Sequence, residues 1–193
     1  AIVGHVFLES CTRQGGLAHS DMPRTKPAWL KGEDWYAHDP CTDRQQACLW
    51  YGRDLVEKIL QCHVPQEVAS HSFSHTVFAD VSCGPEVARA ELAACLEQAG
   101  NYGVTMRSFV FPQDRQGHLE LLREAGFVVY RGPTASLFQN VRPRLFGKLL
   151  HFLDDLFAWP AECVWPREAL PGLWELPGSM MYGFMFGIRR WIP

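Results

Sequence analysis

A chain of 193 residues, 47% hydrophobic and 20% charged, is long enough to bury one sizeable core and fits a single domain. Its net charge of -3, with no basic cluster, argues against a nucleic-acid surface. No apolar run approaches the ~20 residues a membrane helix needs, and neither an internal repeat nor a low-complexity segment is present.

The first element, Ala1 to Leu8, reads as a buried strand. It lacks the basic start and small-residue cleavage site of a signal peptide. A chain that opens directly on a strand is expected to have lost sequence upstream. Residues 9–49 form a long polar stretch with Gly15, Gly16, Pro23, Pro27, Pro40, Trp29 and Trp35. A loop of this length inside a compact domain is usually functional or disordered. Its tryptophans favour an ordered lid, read here as an insertion over a site.

Arg53 to Gln61 predicts a short helix, with Leu55, Val56, Ile59 and Leu60 at helical spacing. Val64 to Ser70 predicts a strand. Pro85 opens the next helix, because proline is tolerated at the first helical position. Ala88, Leu92, Cys95, Leu96 and Ala99 form its apolar stripe, and Gly100 is its stop. Met106 to Phe111 predicts a strand, Gly117 to Ala125 a helix ended by Gly126, and Phe127 to Tyr130 a further strand. Strand and helix thus alternate from residue 64 to 130, the pattern of an α/β protein with parallel strands and crossover helices. Arg144 to Ala158 predicts an amphipathic helix, and Cys163 to Trp165 and Leu173 to Leu176 predict short strands.

The chemistry-bearing stretch is Glu67-Val-Ala-Ser-His-Ser-Phe-Ser-His75, where a short apolar run ends in two histidines four apart. On one turn of helix such a pair shares a face, so both imidazoles can meet one ion. Two ligands of one ion at ~2.0–2.1 Å place their nearest ring nitrogens within ~4 Å of each other. Spacing alone leaves a second reading open, a pair of surface histidines. Ser72 at the second position excludes the His-Glu-x-x-His pattern of zinc proteases.

This stretch resembles the His-Ser/Thr-x-x-His motif of the polysaccharide deacetylases, the family with the NodB homology domain. Ser108-Phe-Val-Phe-Pro-Gln113, followed by Leu122-Arg-Glu-Ala-Gly-Phe127, is similar to that family's Phe-Arg-x-Pro-Tyr-Gly and Leu-x-x-x-Gly-Tyr segments. The resemblance runs from about Ala1 to Gly132. It implies a distorted (β/α) barrel of the deacetylase type, here missing its first and last strands, so that 1–193 is a single partial domain with a polar insertion at about 9–49. It implies that His71 and His75 ligate Zn2+ or another divalent ion, and that Pro112 and Gln113 line the substrate site. The implied reaction is removal of N-acetyl groups from an amino sugar or polysaccharide.

The family's Thr-Phe-Asp-Asp segment, which supplies a third ligand and the base, has no counterpart in the chain. Val110 stands at the family's arginine position; Arg107 and Arg115 are substitutes. Leu17-Ala-His19 and Leu149-Leu-His151 match the letters of the late Leu-x-His motif, but one lies in the polar stretch and the other inside a helix, so both read as coincidence. The base and the acid are therefore expected outside the chain, which by itself is expected to be inactive; an acid within it, such as Asp43 or Asp114, is the alternative. The alternative function is a catalytically incomplete carbohydrate-binding relative, and a structural protein without metal stands behind that.

Seven tryptophans suit stacking on sugar rings, although tryptophan is more often core. Trp29, Trp35 and Trp50 are the candidates. A serine-hydrolase elbow and a phosphate-binding glycine loop are absent. Seven cysteines at irregular spacing, without a Cys-x-x-Cys pair, favour a reducing, cytoplasmic compartment weakly over an extracellular or periplasmic one, with a Cys41–Cys48 bridge as the secreted alternative.

Overall fold

The computed structural model describes residues 1–11, 13–134 and 164–178. Its helices are α1 (Arg53–Leu60), α2 (Pro85–Gly100) and α3 (Leu119–Glu124). Its strands are β1 (Arg13–Gln14), β2 (Leu17–Ala18), β3 (Ser108–Val110), β4 (Val129–Thr134), β5 (Arg167–Leu170) and β6 (Leu173–Gly178). The main sheet has the order β3-β4-β6-β5, with β3, β4 and β6 parallel and β5 antiparallel at the edge. Ser70 extends it beyond β3 through parallel bridges to both Phe109 and Ile2.

Spatial order therefore follows chain order from Ile2 through Ser70, β3 and β4 to β6, with α1, α2 and α3 lying between successive members. Parallel neighbours need crossovers of this kind, because a tight turn can only reverse the chain. Backbone bonds zip the first two members together. Ile2 N–H donates to the Ala69 carbonyl at 2.8 Å, His71 N–H to Ile2 at 2.9 Å, Gly4 N–H to Ser72 at 2.8 Å, and His5 N–H to Phe73 at 2.9 Å.

The first strand is shorter than the sequence suggests. Gly4–Phe7 is a 3₁₀ turn. Here the chain runs so close to α2 that a Cβ on Gly4 would come within 2.8 Å of the Phe73 ring and 3.0 Å of the Cys95 backbone. Residues 64–69 likewise carry no regular strand before the bridge at Ser70. α3 begins two residues later than expected, after His118 in a left-handed conformation (φ 54°). β5 was not expected at all. Val164 and Trp165 form no strand, and Cys163 and the helix expected at Arg144 to Ala158 lie outside the described residues.

The polar stretch 9–49 is ordered by burial rather than by long elements. It holds β1 and β2, a 3₁₀ turn at Ala28–Leu30 and another at Trp35–His38. Ala18, Met22, Tyr36 and Asp39 are buried within it. The main core is aromatic. Phe109 packs on Phe111 and Phe127 at centroid distances of 4.9 and 5.5 Å, and Phe111 packs on Tyr130 at 5.5 Å. Each such side chain contributes roughly 1.5–3 kcal/mol on burial. Leu92 of α2 and Leu122 of α3 close the layer. Among the described residues, no helix is long and apolar enough to cross a membrane.

Candidate functional site

His71 and His75 lie where the parallel segments end, in a loop without helical structure. The one-turn helix inferred from their spacing is corrected. Ser72 and His75 have φ of 60° and 62°, in the left-handed region, so the loop doubles back on itself. The outcome is nevertheless a close edge-to-face pair, with ring centroids 4.9 Å apart and planes at 70°. Positive φ on residues other than glycine is held by surrounding contacts and concentrates at functional sites.

Those contacts come from Glu91, a fully buried carboxylate on α2. It accepts the Phe73 and Ser74 N–H groups at 2.9 and 2.8 Å and the Ser74 hydroxyl at 2.6 Å. Its other contact is the Tyr36 hydroxyl at 3.1 Å, which ties the 9–49 stretch to the same anchor. Burial, followed by the Glu91 charge, raises the Tyr36 pKa far above the ordinary phenol value, so the hydroxyl remains a donor. Sequence reasoning missed Glu91, yet its signal was present. It lies three residues after Ala88 and four before Cys95, so it shares the apolar face of α2.

His71 Nδ1 faces the Val110 carbonyl at 2.7 Å. A carbonyl only accepts, so Nδ1 carries the proton and Nε2 keeps a free lone pair. That is the arrangement by which outer contacts orient metal-binding histidines. Burial lowers the pKa of both histidines. For His71 the neighbouring His75 lowers it further, against the opposing bond to Val110. Neutral rings are the ligating form. Two neutral rings with centroids 4.9 Å apart are close enough for one divalent ion to be considered between them. Among the described residues, no cluster of three or more ligating side chains includes the pair. Within the same loop the Ser72 hydroxyl is buried without a hydrogen-bond partner.

The end of β3 reaches the pair through Val110, and the next residues are Pro112, which is buried, and Gln113, which is exposed at φ 58°. Asp114 pairs with Arg131 of β4 at 2.5 Å. The Arg131 charge lowers the His71 pKa slightly, behind burial, His75 and the ammonium of Ala1. The suggested substitutes are elsewhere. Arg107 is exposed and its carbonyl is bound by Val128 and Val129, and Arg115 reaches the Ala79 carbonyl at 3.4 Å. Trp29 stands beside the pair, its ring 5.9 Å from that of His75 and 38% exposed. Trp50 packs instead on Trp35 at 5.3 Å and on His5 at 5.8 Å.

A second group lies around Asp39, which is fully buried. His5 Nε2 and His19 Nε2 approach its Oδ2 at 2.8 and 2.9 Å. The Cys11 thiol lies 3.2 Å from the same oxygen, and the Tyr51 hydroxyl and Cys41 N–H donate to Oδ1 at 2.9 and 2.8 Å. Burial opposes ionisation of Asp39. The bonds from His19, His5 and the Cys41 amide outweigh it and hold the carboxyl below the usual carboxylate range. Burial, opposed by the bond with Tyr51 and helped by the bond to Asp39 and its charge, pushes the Cys11 thiol up to about 12. His19, set aside in the sequence as a chance match, is therefore part of a buried polar centre. Cys11, Cys41, Cys48, Cys62, Cys83 and Cys95 are all free thiols.

No protein-family model, no curated protein and no solved structure matches the chain.

Proposed function

We propose that His71 and His75 supply two ligands of a divalent metal centre, Zn2+ or a relative, in a hydrolase that removes N-acetyl groups from an amino sugar or polysaccharide. The observation that carries this reading is the close histidine pair itself, with His71 Nδ1 committed to the Val110 carbonyl and Nε2 left free. The parallel order from Ile2 to β6 supports a distorted (β/α) barrel, in which useful residues gather at the carboxyl ends of strands.

A bound ion would polarise the acetyl carbonyl and lower the pKa of an attacking water. The protein's own residues do the rest. The Val110 carbonyl fixes the His71 tautomer, burial keeps both rings neutral, and Glu91 holds the loop. Trp29 offers a ring face beside His75 for a pyranose, and Pro112 and Gln113 extend the same end of β3. Asp114 is better situated than Asp43 for a proton-transfer role, because it follows β3, whose last residue, Val110, holds His71. Asp43 caps the amides of Gln45 and Gln46 in the polar stretch.

One observation favours a second reading, a carbohydrate-binding relative without turnover. Among the described residues no carboxylate completes a three-ligand set at the pair.

The test is acetate release from N-acetylglucosamine oligomers with added Zn2+ or Co2+, measured on the protein with whatever flanking sequence its gene encodes. Turnover that His71→Ala and His75→Ala each abolish supports the hydrolase. Oligomer binding without acetate release, still sensitive to these variants, supports the second reading. Neither binding nor turnover overturns both.

A further inference from the structure

We infer that His5, Cys11, His19 and Asp39 form a separate, closed zinc site that staples the 9–49 stretch to the start of the chain. The four donor atoms, two imidazole nitrogens, a thiol sulfur and a carboxylate oxygen, all lie within 4.8 Å of one another. Ligands of one tetrahedral zinc sit roughly 3.3–3.6 Å apart, given bonds of about 2.0–2.3 Å. The spacings here, from 2.8 Å for His5 Nε2 to Asp39 Oδ2 up to that limit, bracket the range.

The hydrogen bonds of His5 point to an ion independently of the spacing. Its Nε2 faces the Asp39 carboxylate and its Nδ1 faces the Trp50 carbonyl at 3.2 Å. Both partners only accept, so a neutral ring is one proton short of satisfying them. A metal at Nε2 resolves the conflict. Nδ1–H then donates to Trp50, and the Nε2 lone pair goes to the ion. Asp39 is divided the same way. Oδ1 is occupied by Tyr51 and the Cys41 amide, while Oδ2 faces both histidines.

Charge selects the ion class. One thiolate and one carboxylate balance a dication, so the buried site is neutral overall, whereas a net charge there would be costly. A mixed set of nitrogen, sulfur and oxygen ligands suits zinc better than magnesium or calcium. Four protein ligands leave no open position, which marks a structural site. The alternative of a cysteine nucleophile lacks its base, since Cys11 is held by Tyr51 and Asp39. A structural role also fits the surroundings. The ligands span a segment whose regular structure is two strands of two residues and short 3₁₀ turns, and metals commonly stabilise segments of this kind.

Zinc content is measured in protein purified from zinc-supplemented cells, for the wild type and a His71→Ala/His75→Ala double variant. The double variant is expected to keep one tightly bound equivalent. Cobalt-loaded wild type is expected to show a thiolate-to-cobalt charge-transfer band that Cys11→Ser removes. Without any substitution, peptide mapping is expected to find Cys11 protected from iodoacetamide until a chelator is added. A metal-free double variant, a cobalt spectrum without the thiolate band, or Cys11 labelling indifferent to chelator each overturns the site. Failure of the deacetylase reading leaves these three results unchanged, and failure here leaves acetate release at His71 and His75 unchanged.

Discussion

The two histidine groups differ in how completely the described residues satisfy them. Around Asp39, two imidazoles and a thiol converge on one buried carboxylate, and the set is closed by four side chains of three chemistries. At His71 and His75, one nitrogen is anchored on a backbone carbonyl, and a half-exposed tryptophan stands at the edge. Closed sets hold structure together, while open ones have room for a substrate. The comparison assigns the two groups different work although both are built from histidine.

The largest expected effect tests what the two regions share. Glu91→Ala strands two amides and the Tyr36 hydroxyl, while the Ser74 hydroxyl keeps Thr76 as a partner. Each stranded buried group costs ~1–3 kcal/mol, so a loss of about 3 kcal/mol or more is expected by urea denaturation, with metal binding at the pair lost as well. A loss under about 1 kcal/mol would show that the loop holds its own shape.

Next is thiol reactivity without metal. Burial raises Cys83 to about 12, helped by the charges of Glu91 and Asp80, and raises Cys95 to about 11. From thiolate fraction alone, both should alkylate at least ~100-fold more slowly than an ordinary thiol. The exposed Cys48 and Cys62 should react first in a timed iodoacetamide series.

A smaller effect separates the groups by pH. His71 and His75 have folded-state pKa values below the ordinary 6.5. Between those values and 6.5 the unfolded chain binds more protons than the folded one, so stability falls as pH drops below about 6.5 and is unaffected by these groups above it. Melting temperature followed against pH in the presence of a chelator should show this decline, and His71→Gln/His75→Gln should flatten it. An unflattened slope would assign the acid sensitivity to other groups.

The smallest effect concerns the rim. Trp29→Ala should weaken binding of N-acetylglucosamine oligomers by roughly 1 kcal/mol, about fivefold, in a titration calorimeter, and leave tight zinc binding at the Asp39 group unchanged. Trp50→Ala, whose ring packs on His5, is expected to do the reverse. If both substitutions act alike, the two groups are not separate.

The regular part of the architecture was legible. α2, β3 and β4 follow from apolar spacing and from Pro85 and Gly100, because local periodicity reports burial on one face. The histidine pair was legible in its letters but not in its shape, since the loop with left-handed φ at Ser72 and His75 is held by distant residues, Glu91 and the start of the chain. The Asp39 group was not legible. Its members are separated by irregular gaps and converge only because the chain packs back on His5. The tryptophans of 9–49 suggested an ordered lid over a site, whereas the stretch buries Tyr36 and Asp39 and packs on the start of the chain.

The dependence of the histidine loop on Glu91 bears on how such motifs travel. The carboxylate sits 18 positions after Phe73, whose amide it holds. A segment ending in His-Ser-Phe-Ser-His, grafted onto another scaffold, would carry the letters and lose the carboxylate that holds the backbone between the two rings. A pattern search restricted to the two histidines will therefore gather unrelated loops. Requiring an acidic residue on the apolar face of the following helix would separate sequences able to build this geometry from those that merely spell it.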